Sequence, residues 1–80
     1  MSTAEKTDKL IAMEKMRADG IKWKDIREAL RLSDHEMSNM RSRSRVTAAV
    51  YLGVDLSEKR HLAEEEIVAL ERILRFLDSE

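Results

Sequence analysis

Basic and polar side chains alternate near the middle of this 80-residue chain. Asn39 and Ser42 carry amide and hydroxyl groups that can hydrogen-bond base edges, asparagine being suited to adenine. Guanidinium groups, which pair with phosphates, stand at three alternate positions: Arg41, Arg43 and Arg45. The same arginines would also offset the dipole at the end of a helix. This combination indicates contact with a nucleic acid, amides and hydroxyls at the bases and arginines at the backbone.

A helix over 34–44 is predicted to carry these groups. Ser33 with Glu36 three residues later forms a capping box, a strong signal for a helix start. At 100° per residue from Met37, four polar residues fall on the outer side: His35, Ser38, Asn39 and Ser42. The helix is predicted to end or kink near Ser44, because a continued register would turn Val46 and Val50 outward. Ser44 would then cap a short helix packed inward over 46–52.

Two shorter helices are predicted before it. The first covers about 8–18, with Gly20 ending it, and the second runs from Trp23 to Leu30. Arg31 and Leu32 form the turn. The interior of this unit is predicted to contain Trp23 and four further apolar residues: Ile26, Leu30, Leu32 and Met37.

A long amphipathic helix is predicted over 57–78, with Asp55 or Ser57 at its start and Gly53 ending the short helix before it. Apolar residues at alternating spacings of four and three are typical of a coiled-coil seam. We therefore expect homodimerisation through this seam, unless the helix folds back on its own monomer. The seam residues are Ala63, Ile67, Leu70, Leu74 and Leu77.

Composition excludes several classes of protein. The chain has no cysteine and no proline, and its two histidines stand apart, so neither disulfides nor a metal or cofactor site is expected. No nucleophile stands beside a base and no glycine-rich phosphate loop occurs, so we expect no enzyme. No apolar run is long enough for a membrane span or a signal peptide, so a cytoplasmic protein is expected.

Charge is unevenly distributed, although the net charge is only −1. Residues 20–45 hold seven Lys/Arg and four acids, whereas residues 57–80 hold four Lys/Arg and seven acids. A basic first half suits one DNA-facing surface. Lys22 and Lys24, at the start of the second helix, are predicted to touch backbone phosphates.

The first half also resembles the trihelical Myb/SANT-like and homeodomain-like helix-turn-helix family over about residues 8–45. The residues that carry the resemblance are Lys9, Leu10, Ile11, Gly20, Trp23, Ile26, Leu30, Met37, Met40 and Arg41. The resemblance implies DNA binding through the third helix, with Ser38, Asn39 and Ser42 near bases. Arg31 stands where many bacterial members have glycine, which implies a longer or differently shaped turn.

Together these patterns predict an all-α protein, a trihelical helix-turn-helix bundle with a short fourth helix and a long amphipathic C-terminal helix. The expected segments are a flexible tail over 1–7, a DNA-binding domain over 8–45, a short helix and turn over 46–56, and a dimerisation helix over 57–79. The expected function is a sequence-specific transcriptional regulator that binds double-stranded DNA, such as a phage or plasmid repressor. The alternatives are a protein-interaction module that modulates a larger host complex, and a nucleoid-type binder without sequence preference.

Overall fold

The structure of the chain, a computed structural model, describes residues 2–56 and 60–79, and its helices are joined by short non-helical connections. The prediction of an all-α fold is confirmed, and no strand occurs within these two ranges. The elements, in chain order, are α1 (Thr3–Ala18), α2 (Trp23–Ala29), α3 (Asp34–Thr47), a π-helical segment (Ala48–Leu52) and α4 (Glu64–Asp78).

Helix α1 begins five residues earlier than predicted. The Ser2 hydroxyl caps it by accepting a hydrogen bond of 3.2 Å from the backbone N–H of Glu5. Thr7 is buried, and its hydroxyl donates to Asp78 on α4. Residues 3–7, predicted as part of a flexible tail, are therefore helical because both a cap and a tertiary contact hold them.

The connection between α2 and α3 is a Schellman turn with an arginine in the position that favours glycine. The N–H of Leu32 donates to the Arg27 carbonyl at 3.0 Å, and the N–H of Arg31 donates to the Glu28 carbonyl at 3.2 Å. Arg31 adopts the left-handed conformation, with φ of +54°. The longer or differently shaped turn implied by the resemblance is thus not found, since arginine takes the backbone geometry that glycine would.

Helix α3 runs through Ser44 without a break, which contradicts the predicted end or kink there. Ser44 is fully buried, and its hydroxyl donates a 2.6 Å hydrogen bond to Glu14 Oε1 on α1. The helix therefore keeps its register, and the π-helical segment follows directly at Ala48. Val46 and Val50 consequently point outward, 58% and 69% exposed, rather than packing inward as predicted.

Helix α4 begins at Glu64, later than the predicted start at 57. The carboxylate of Glu66 accepts a hydrogen bond of 2.9 Å from the backbone N–H of Ala63, which fixes this start. Residues 60–63 are not helical, although Leu62 among them is fully buried. The proposed cap Ser57 lies outside the described residues.

The apolar face of α4 packs against α1 in the same chain. The end of α4 lies at the start of α1, because Arg75 pairs with Asp8 at 2.7 Å. Three of the five residues predicted to form a dimer seam are core residues of the monomer: Ile67, Leu70 and Leu74. Ala63 is exposed at the start of α4 and Leu77 is half-buried. The seam is therefore used within one chain, since so small a protein needs this face to complete its core.

The interior predicted around the turn is present. Ile26, Leu32 and Met37 are buried in one apolar cluster, and Leu30 and Trp23 pack partly buried at its edge. The cluster continues between α1 and α4, so a single core holds the described helices together.

Replacing Ser44 with alanine should lower the free energy of unfolding by about 1–3 kcal/mol, because the Glu14 carboxyl group would lose its buried donor. Ser42→Ala, on the exposed side of the same helix, is the matched control and should change stability by less than about 0.5 kcal/mol. Urea denaturation monitored by circular dichroism measures both. Equal stability of the two variants would contradict the assignment of Ser44 to the core.

Replacing Arg31 with glycine should raise the free energy of unfolding by about 0.5–1 kcal/mol. Relief of the left-handed strain contributes about 1–2 kcal/mol, and the greater freedom of glycine in the unfolded chain offsets about 0.4–1 kcal/mol. Gly20→Ala is the reciprocal control and should destabilise, because Gly20 has φ of +86°. Thermal and urea unfolding test the pair, and destabilisation by Arg31→Gly would contradict the strained turn.

Candidate nucleic-acid interface

The exposed side of α3 carries the four polar residues that the register predicted there. These four exposed residues are His35, Ser38, Asn39 and Ser42. The Asn39 side-chain amide lies 3.2 Å from His35 Nε2 and donates to it where that nitrogen is unprotonated. This contact lies at the surface, so a ligand can replace it without opening the core.

Two valines extend the same exposed side toward the end of the helix. Val46 follows Ser42 by one helical turn, and Val50 follows Val46 in the π-helical segment. We call the set His35, Ser38, Asn39, Ser42, Val46 and Val50 the outer ridge. Sequence reasoning missed its apolar end, because it assumed that the valines would be buried and therefore broke the helix at Ser44.

One flank of the outer ridge is basic and is organised around Trp23. The guanidinium carbon of Arg41 lies 4.3 Å from the centroid of the Trp23 ring, and that of Arg17 lies 5.1 Å from it. Both distances are within the range of cation–π attraction. Trp23 is thus a half-buried platform for cations rather than an interior core residue. Lys22 and Lys24, on either side of it, are exposed as phosphate contacts would require.

A pocket of about 310 Å³ opens beside this ring, and we call it the Trp23 pocket. Its described lining contains Glu14, Arg17, Trp23, Arg41, Arg45, Leu56, Arg60 and His61. Arg60 is engaged by Glu66 at 2.7 Å. Arg17, Arg41 and Arg45, by contrast, form no ion pair with any residue in the ranges 2–56 and 60–79.

Glu14 is the only acid in the described lining of the Trp23 pocket, and it is 4% exposed. Burial raises the pKa of its carboxyl group, because charge is disfavoured away from water. The Ser44 hydroxyl and the positive charges of Arg41 and His61 lower the pKa, but by less than burial raises it. The carboxyl group therefore resists ionisation more than an exposed glutamate does.

Arg43 lies on the opposite flank and, unlike Arg41 and Arg45, forms an ion pair within the described chain. Its guanidinium group binds Asp78 on α4 at 2.9 Å. The pKa of Asp78 is lowered, first by the Thr7 hydroxyl and then by Arg43. The three side chains join α1, α3 and α4, so Arg43 makes a structural contact within the chain, while its role as a phosphate contact stays a prediction. The alternating Arg-Ser pattern could not reveal this partner, which is 35 positions away in sequence.

The two acids at the start of α3 are engaged locally. The carboxylate of Glu36 accepts from the backbone N–H of Ser33 at 3.0 Å, which is the chief reason that its pKa is lowered. Asp34 pairs with Arg27 across the turn at 3.4 Å. Both side chains act as cap and turn contacts, and neither lies in the Trp23 pocket.

Comparisons with protein-family models, with curated proteins and with solved structures return no match to this chain. Within the described part of the chain, none of the helices has the length and apolar character needed to cross a membrane.

Replacing Glu14 with glutamine should increase stability at about pH 7 and leave it nearly unchanged at about pH 4. A carboxyl group with a raised pKa stabilises the fold when protonated, and that contribution is lost as the pH rises through the folded pKa. Glutamine stays neutral and keeps an oxygen for the Ser44 hydroxyl. Urea denaturation at both pH values measures the effect, with exposed Glu28→Gln as control. A variant less stable than wild type at pH 7 would contradict the dominance of burial.

Proposed function

We propose that this protein binds double-stranded DNA through the outer ridge of α3 and acts as a transcriptional regulator. The observation that carries the proposal is the outer ridge itself: an exposed, capped helix side with hydrogen-bonding groups, flanked by arginines that lack ion-pair partners in the described chain. Base edges in the major groove offer donors, acceptors and thymine methyl groups, and these match amide, hydroxyl and valine side chains in chemistry.

In the proposed complex α3 lies in the major groove. From His35 to Val46 the outer ridge is about 16 Å long, and a groove about 12 Å wide admits one helix. Asn39 is assigned to adenine and Ser42 to a neighbouring base. Lys22, Lys24, Arg41 and Arg45 are assigned to phosphates, which position the helix without reading sequence. The helix-turn-helix arrangement implied by the resemblance is part of this proposal.

The regulatory part of the proposal is repression in the cytoplasm, of the phage or plasmid type. Two copies on neighbouring half-sites would exclude polymerase from a promoter. Ile67, Leu70 and Leu74 are buried within the monomer, so the proposed contact between the copies lies outside the α4 seam. Exposed apolar side chains elsewhere, such as Phe76 on α4, remain for a homodimer.

Fluorescence anisotropy with a duplex from upstream of the protein's own gene tests the proposal. Asn39→Ala should weaken binding to the preferred duplex by about 1–3 kcal/mol and leave the salt dependence unchanged. Arg45→Gln should weaken all duplexes similarly and reduce the slope of log K against log salt by about 0.9. Arg72→Gln, an exposed arginine of α4, is the matched control and should change neither.

Three results bear directly on the proposal. A folded wild-type protein that binds no duplex at low salt would overturn it. Equal affinity for the upstream duplex and for random competitor DNA would replace it with the nucleoid-type binder. Loss of binding in Arg72→Gln but not in Arg45→Gln would move the interface to α4.

A protein-interaction module is the second candidate, and the apolar end of the outer ridge favours it. Val46, Val50 and the neighbouring Tyr51 are 58%, 69% and 54% exposed, a cluster that water does not favour. A host complex could cover these side chains. Val50→Ser with Tyr51→Ser should then abolish capture of a host protein that the wild type captures, whereas Arg45→Gln should not. Capture that is kept by the double variant and lost in Arg45→Gln would favour DNA binding.

A further inference from the structure

We infer that the Trp23 pocket is a binding site for a phosphoryl group. The inference stands on the pocket's own geometry and charge, and it holds whether or not the outer ridge reads DNA. One part rests on the proposed function: if α3 binds DNA, a backbone phosphate is one possible source of that group. A free phosphate ester or diphosphate is the other.

The lining of the Trp23 pocket is rich in positive charge. Arg17, Arg41 and Arg45 line one pocket and form no ion pair with a carboxylate of the described chain, so within the described lining their mutual repulsion is offset only by the attraction of Arg41 to Glu14. Glu14, the only acid in that lining, ionises reluctantly because it is buried. A divalent anion placed among the three guanidinium groups would remove that repulsion.

The unpaired cations of the described lining are arginines, whose shape suits phosphate. Arginine presents a planar fork of N–H donors that matches phosphate oxygens two at a time, which an ammonium group cannot do. The Arg41 guanidinium carbon lies over the Trp23 ring, 4.3 Å from its centroid. The terminal nitrogen of Arg17 donates to the Ile21 carbonyl at 3.2 Å. These contacts restrict both side chains at the pocket, and such restriction lowers the entropic cost of binding.

The volume of the Trp23 pocket suits a small ligand. A volume of about 310 Å³ lies at the lower end of the range for small-molecule pockets, so it suits a compact anion rather than a large ligand. A phosphoryl group of free phosphate, of pyrophosphate or of a DNA backbone meets that limit. The shared chemistry is the tetrahedral oxyanion.

Trp23 is the only tryptophan in the chain, so its fluorescence reports on the pocket directly. The experiment titrates the full chain with sodium pyrophosphate at constant ionic strength, followed by Trp23 fluorescence and by calorimetry. The expected result is one bound pyrophosphate per chain in the wild type. Arg41→Gln with Arg45→Gln should bind at least about tenfold more weakly. Arg72→Gln, outside the described lining, should bind like the wild type.

A second variant separates the effect of positive charge from that of the planar guanidinium group. Arg41→Lys with Arg45→Lys retains both charges but loses the planar forks, so its affinity should fall between the wild type and the glutamine variant. Circular dichroism confirms that each variant is folded. Because calorimetry does not depend on the tryptophan, a change in basal fluorescence caused by losing Arg41 cannot imitate a loss of binding.

A parallel titration with duplex DNA distinguishes the two sources of the phosphoryl group. Pyrophosphate binding lost in the glutamine variant supports a free anion, even if no duplex binds and the proposed function fails. A Trp23 response to duplex alone, lost in the same variant, supports a backbone phosphate. The inference is overturned if neither ligand perturbs Trp23, or if the glutamine variant binds both as tightly as the wild type does.

Discussion

The packing of α4 on α1 is the constraint on which the rest of the structure depends. An 80-residue chain without disulfides has little apolar surface to bury, and the face of α4 that contains Ile67, Leu70 and Leu74 is a large part of it. These side chains close the core of the monomer and are covered within one chain. Truncating one of them would cost about 2–5 kcal/mol, a large share of the stability of a small domain.

Ser44 and Glu14 couple this core to the surface proposed to bind phosphates. Their buried hydrogen bond joins α3 to α1, and the rotation of α3 in the structure turns the outer ridge to solvent. The same rotation brings Arg41 over Trp23 and places Arg45 in the lining of the pocket, whereas Arg43 turns the other way, toward Asp78. Three arginines that look equivalent in sequence therefore have two different surroundings, because alternate positions on a helix lie about 200° apart.

Local signals in the sequence predicted much of this fold. The capping box at Ser33, the limits of α2 and the exposure of Asn39 and Ser42 follow from short-range rules of capping and periodicity, and the structure agrees with them. Most of the misplaced features depend on distant partners. The helix end predicted near Ser44 is wrong because Ser44 bonds Glu14, 30 positions away. The tail predicted over residues 3–7 is wrong partly because Thr7 bonds Asp78, 71 positions away, and partly because of the local Ser2 cap. The Trp23 pocket was likewise invisible, since its lining comes from α1, α2, α3 and the connection before α4.

The central claim is that α3 and its basic flank, rather than α4, form the nucleic-acid interface. Amide chemical shifts of the isotope-labelled protein, recorded by NMR during titration with duplex DNA, test it residue by residue. The account predicts that the largest changes occur in residues 35–46, at Lys22 to Lys24 and in the Trp23 indole N–H, with α4 nearly unaffected. Changes concentrated in residues 64–78, or none at a DNA concentration in large excess, would contradict it.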